Sequence, residues 1–105
     1  MLIYEVNLTV DNTILDEYYP WLVEHVEEML QFRGFKKAEI SKEKSLEGND
    51  SVNKFVVHFT IASEADLNDY LKNHSPTMRA GSIKKFGDKF SATRRVFLKT
   101  YEIEA

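Results

Sequence analysis

Cysteine is absent from the 105-residue chain, which excludes disulfides, thiolate nucleophiles, thiolate-bound zinc and iron–sulfur clusters. No apolar run approaches the roughly 20 residues that a membrane-crossing helix needs, and the first residues read as a strand rather than a signal peptide. A cytoplasmic protein with no membrane partner is therefore expected. Glycine is scarce, with four residues, and no phosphate-cradling glycine loop is recognisable. Serine triads and paired-carboxylate motifs are missing too: Asp16–Glu17 and Glu27–Glu28 are chain neighbours, so neither pair shares a helix face. There is no internal repeat and no low-complexity tract. What remains is 43% hydrophobic and 30% charged, the composition of one folded domain spanning residues 1–105.

The patterning alternates between two periods. Leu2, Tyr4, Val6, Leu8 and Val10 point one way and Ile3, Glu5, Asn7 and Thr9 the other, which is a strand. Asp11, Asn12 and Thr13 offer N-caps for a helix whose apolar stripe runs through Tyr18, Trp21, Leu22, His25, Val26 and Met29. Pro20 either bends that helix or follows a looser first turn, and Gly34 is placed to terminate it. A second strand, Phe35 to about Lys44, is followed by an exposed hairpin loop at Ser45–Asn53 and a third strand, Lys54–Ala62. Ser63 with Asp66 opens a second helix, Ser75-Pro76 breaks it and starts another, and Ala92–Ile103 reads as the last strand. The order β-α-β-β-α-β predicts an α+β, ferredoxin-like antiparallel sheet, with strands in the order four-one-three-two and the helices on one face. The other face carries Ile3, Val56, Phe97 and Tyr101 among Glu5, His58, Arg95 and Lys99. That mixture is too apolar for water and too polar for a core, which predicts a homodimer through the sheet face.

Charge is uneven. Residues 1–53 carry a net −6 and residues 54–105 a net +3, and between Lys72 and Lys99 there are eight basic side chains against Asp88 alone. Arg79, Arg94 and Arg95 are candidate clamps for a small anionic ligand, since guanidinium binds carboxylate or phosphate in bidentate fashion; the competing reading is a solvated basic patch. Tyr18, Trp21 and Tyr70 are the candidate aromatic lining of a pocket between sheet and helices. Nucleic acid is not an expected partner, because the chain is acidic overall, at net −3. His25, on the apolar stripe, is a candidate general base as well as a candidate core residue. Its spacing to Glu28 suits a metal but lacks a third ligand, so no metal site and no cofactor is expected. His58 belongs to the open sheet face, and His74 sits at the helix break as a cap or a second candidate base.

The segments IYEVNLTVD, WLVEHVEEML with FRGFKKAEI, and above all NHSPTMRAGSIKKFGDKFSATRRVF resemble the small bacterial proteins grouped as domain-of-unknown-function family 4286. The resemblance spans nearly the whole chain outside the Ser45–Asn53 loop. It implies a dimeric α/β barrel of the antibiotic-biosynthesis-monooxygenase-like superfamily and implies no activity, because fold alone does not choose among that superfamily's oxygenases, haem-degrading enzymes and non-enzymes. Asn7 and His74 loosely match an asparagine–histidine pair of haem-degrading relatives. The match fails because Trp21 lies on the first helix and Asn7 lies in the phase away from the helices. The expectation is thus a homodimeric module binding a small anionic or aromatic ligand. The alternative is a cofactor-independent oxygenase or isomerase using His25 or His74 as base.

Overall fold

The computed structural model describes residues 1–47 and 53–105. Strand β1 (Leu2–Val10) leads through a 3-10 turn (Asn12–Ile14) into helix α1 (Leu15–Met29). Strands β2 (Phe35–Lys42) and β3 (Asn53–Ile61), helices α2 (Glu64–Asn73) and α3 (Ser75–Phe86), and strand β4 (Phe90–Leu98) complete the chain. The sheet order is β2-β3-β1-β4 with every pairing antiparallel, as the β-α-β-β-α-β order of elements predicts.

Period two decides the layers. Leu2, Tyr4, Leu8 and Val10 of β1 and Phe55, Val57, Phe59 and Ile61 of β3 are buried under the helices. The register pairs Tyr4 with Phe59, Val6 with Val57 and Leu8 with Phe55, so each apolar residue meets another across the central ladder. Helix α1 answers with Tyr18, Leu22, Val26 and Met29, and α2 with Leu67 and Tyr70. Burial of this set at about 25 cal/mol per Å² of apolar surface is what holds sheet and helices together.

Local chemistry sets the boundaries. The Asp11 carboxylate accepts from the Thr13 N–H (2.8 Å) and starts the 3-10 turn ahead of α1, and Pro20 lies inside that helix. Pro20 lies in the second turn of the helix, where it removes one backbone hydrogen bond rather than breaking the element. Gly34 does not end α1. The helix ends at Met29, and Gly34, at φ +84°, makes the turn into β2, where any Cβ would run into the Asp66 carboxylate. The Ser63 hydroxyl caps α2 by accepting from the Asp66 N–H, and the Ser75 hydroxyl donates to the Leu71 carbonyl across the α2–α3 break.

Strand β4 stops at Leu98 instead of Ile103. The Lys99 N–H bonded to the Met1 carbonyl (3.0 Å) is the last rung, so the ladder ends where its partner β1 begins. Tyr101 therefore lies outside the sheet, 80% exposed. The hairpin loop expected at Ser45–Asn53 falls largely on residues 48–52, outside the described residues. The chain measures 38 × 37 × 19 Å, with a radius of gyration of 14.6 Å. Roughly 13 Å is usual for a compact chain of this length, so the shape is a two-layer slab. Among the described residues, no helix is long and apolar enough to cross a membrane.

Candidate functional site

Between the helix layer and the sheet lies a narrow cleft of about 50 Å³, room for a few water molecules. Its floor is the helix-facing row of the sheet, including Tyr4, Val6, Leu8, Phe59 and Ala92. Helix α1 contributes Tyr18, Trp21 and His25, helix α2 Tyr70, and helix α3 Met78, Arg79 and Ser82, while β4 closes the rim with Phe90 and Arg94. Tyr18 and Tyr70 are buried, whereas Trp21, His25 and Arg79 are half-buried and Arg94 is exposed, so the polar groups sit towards the mouth.

Arg79 reaches the cleft because Met78, Arg79 and Ser82 lie on one face of α3. Its Nη2 donates to the Tyr4 hydroxyl at 3.3 Å, and its Nε is buried without a hydrogen-bond partner. Leaving such a donor unsatisfied typically costs about 1–3 kcal/mol. Arg94 pairs with Val6 in the β1–β4 ladder and therefore shares the helix-facing phase. Burial raises the Tyr18 phenol well above its usual range and pushes the Tyr70 phenol up to about 12, and the Arg94 charge opposes both shifts. Both phenols are uncharged at neutral pH. The Tyr70 hydroxyl has only a weak acceptor, the Met29 sulfur at 3.9 Å.

His25 stacks on Trp21 with ring centres 4.6 Å apart and planes 17° apart. Burial lowers its pKa, against a smaller opposite pull from Glu28, so the imidazole is neutral at pH 7. The cleft thus presents two fixed positive charges, a neutral imidazole and neutral phenols to whatever enters. That is an environment for an anion.

Of the candidates drawn from the sequence, Tyr18, Trp21, His25, Tyr70, Arg79 and Arg94 come together here. Arg95 and His74 do not. Arg95 projects through the opposite face of the sheet, where its Nε donates to Glu5 at 2.7 Å and its guanidinium lies over the Phe97 ring. His74 stacks on Phe32 at 4.5 Å, closes α2 as its C-cap with its backbone N–H donating to the Tyr70 carbonyl (2.9 Å), and lies 3.9 Å from Asp69. Asn7 also belongs to the opposite face, so the sheet separates it from His74. Among the described residues, no group of three His, Asp or Glu side chains is placed to hold a metal. Tyr4 and Ser82 were not singled out by sequence. Tyr4 read as one more apolar residue in the alternation, although a hydroxyl in that row needs a partner.

The open face has its own polar centre. Glu5 is only 6% exposed and accepts from Asn7 (3.0 Å) and Arg95 (2.7 Å), with His58 Nε2 2.8 Å away. These hydrogen bonds, Asn7 first, hold its carboxyl near a pKa of about 2.

No curated protein matches the chain. Solved structures share its fold. A candidate antibiotic biosynthesis monooxygenase from Deinococcus radiodurans superposes with a TM-score of 0.76 at 14% identity, over 100% of this chain and 98% of the other. SnoaB, a cofactor-independent oxygenase from Streptomyces nogalater, gives 0.72 at 10% identity, over 99% and 98%. A dimeric ferredoxin-like protein of unknown function from Jannaschia sp. CCS1 gives 0.54 at 11% identity, over 90% and 98%. At these identities the likeness is one of fold. Residues 1–100 match the family described as Domain of unknown function (DUF4286), and the chain, in sequence as in its ferredoxin-like fold, belongs to that family.

Proposed function

We propose that the chain is a homodimeric module that binds a small anionic ligand in the cleft between sheet and helices. The observation that carries this reading is the convergence of Arg79 and Arg94 on one aromatic-lined cleft, with the buried Arg79 Nε lacking a partner. Self-association is supported by the open face, where Ile3, Val56 and Phe97 surround the Glu5 cluster, and by the likeness of fold to the dimeric Jannaschia protein. A ligand that binds only the folded state raises its melting temperature by mass action. Carboxylates and phosphates, screened at constant ionic strength, should stabilise the wild type. Arg79→Ala or Arg94→Ala should abolish the shift and Lys72→Ala should leave it. Stabilisation that tracks ionic strength alone, whatever the arginine, would sink the reading.

A second reading rests on His25, a neutral base within the same cleft as the two arginines. In it the chain is a cofactor-independent oxygenase or isomerase, the class named for the Streptomyces relative, with His25 accepting a proton from a bound anionic substrate.

A further inference from the structure

Apolar exposure is concentrated in one short stretch. Among the described residues, five of the nine large apolar side chains left exposed lie between positions 96 and 103: Val96, Phe97, Leu98, Tyr101 and Ile103. Beyond Lys99, the run Thr100-Tyr101-Glu102-Ile103-Glu104 keeps the alternation of a strand, with β-formers at Thr100, Tyr101 and Ile103. Its own sheet has no place for it, because the Lys99–Met1 rung comes at the start of β1. Ile103 is left 83% exposed. A strand pattern with an apolar row and no ladder is matched by an open sheet edge on another chain, where backbone hydrogen bonds and side-chain contacts form together.

The sheet offers two edges, β2 and β4. Strand β4 is the stem of this run, and pairing it with its own copy about Phe97 would set Arg95 opposite Lys99, a like-charge contact. Strand β2 has the complementary charge. Among the described residues, its Lys36 and Lys42 have no ion-pair partner, and Lys37 meets only Glu39, at 3.2 Å with both side chains exposed. The Glu102 carboxyl, bonded to Lys99 at 2.7 Å, is held below its usual range by that lysine first and to a smaller degree by Lys37. We propose that residues 100–104 are an arm that adds as a further strand to the β2 edge of a second copy, setting Tyr101 and Ile103 into the contact between the two sheets and Glu102 and Glu104 beside the β2 lysines. Each copy then gives one arm and receives one, as two-fold symmetry requires. The arm rests on the homodimer reading above and adds the part of the surface that holds the two copies.

The test is sedimentation equilibrium of the full chain at pH 7 and about 150 mM salt, where exposed charges act over only about 8 Å. An arm variant carries Glu102→Lys and Glu104→Lys; an edge variant carries Lys36→Glu, Lys37→Glu and Lys42→Glu. Each alone should dimerise about tenfold more weakly than the wild type, because both arms of its dimer then meet like charge. Mixed in equal amounts, the two should form a heterodimer within about threefold of wild-type affinity, since each arm again meets the opposite sign. A control with Lys72→Glu, Lys84→Glu and Lys85→Glu has the net charge of the edge variant and should neither weaken the dimer nor rescue the arm variant. Ile103→Asp should weaken dimerisation about tenfold or more and leave the melting temperature of the dilute protein unchanged. An arm variant that the edge variant does not rescue on mixing would overturn the β2 seat, and rescue only when all five reversals share one chain would mean that the arm lies on its own sheet. A wild-type dimer whose dissociation constant no arm substitution changes would overturn the arm and spare the homodimer reading. A wild type that is monomeric at micromolar concentration would overturn both.

Discussion

A carboxylate in the middle of a sheet face is costly unless its oxygens are occupied, and Glu5 shows how neighbours meet that cost. Asn7 stands two residues along its own strand, while His58 and Arg95 lie directly across the two adjacent ladders. Every donor therefore arrives through strand register rather than through a loop. The pKa of about 2 lies below the ordinary 4.5, so the ionised form is the one the fold stabilises. That contribution is complete above about pH 4.5 and disappears as pH falls through about 2, where Glu5 is protonated in both the folded and the unfolded chain. Glu5→Gln should lower the unfolding free energy by about 1–2 kcal/mol at pH 7, given the worth of hydrogen bonds to charged groups. Denaturant midpoints of wild type and variant should converge between pH 4.5 and pH 2.5. A gap that stays constant over that range would remove the ionised carboxylate from the account.

At the scale of elements, α3 is the least anchored of the three helices. Besides Ser75 and Ser82, its buried residue is Phe86, whose ring meets Tyr18 at 5.0 Å and Trp21 at 5.3 Å. Phe86→Ala removes that anchor at about 3 kcal/mol, the usual cost of such a cavity. Hydrogen exchange should quicken in α3 more than in α1; equal acceleration in both would mean that the anchor is shared by the whole layer. How far these elements can be read from sequence depends on the contrast within each pattern. Strand β1 sets apolar residues against Glu5, Asn7 and Thr9, so both faces of the sheet are legible in nine residues. Strand β4 has less contrast: Val96 and Phe97 are both apolar and Arg94 and Arg95 both basic, yet the phase that puts Phe97 and Arg95 on the open face agrees with its register, which sets Arg95 against Glu5 and Arg94 against Val6. The Tyr4–Arg79 bond, spanning 75 positions, follows from helix placement and leaves no local trace.

At the scale of the molecule, a two-layer slab keeps only one side of its sheet covered. Phe97 is 42% exposed, and Ile3, its partner in the ladder, lies beside it on the open face. Both Val56→Asp and Phe97→Asp would place an unpaired carboxylate in the proposed sheet-to-sheet contact and should weaken association by about 30-fold or more. Light scattering of dilute protein should report a dimer for the wild type and a monomer for each variant; a monomeric wild type at micromolar concentration would refute the contact. Arg94 and Arg95 add a consequence to this arrangement. They are consecutive residues of one edge strand, and their side chains leave through opposite faces, one into the cleft and one onto Glu5. A twist or slide of β4 would move both guanidiniums at once, so the proposed occupancy of the cleft and the proposed association through the open face would draw on one shared mechanical element. Thermodynamic linkage would then make the effect mutual: were assembly to tighten a ligand of the cleft by some factor, the ligand would tighten assembly by the same factor.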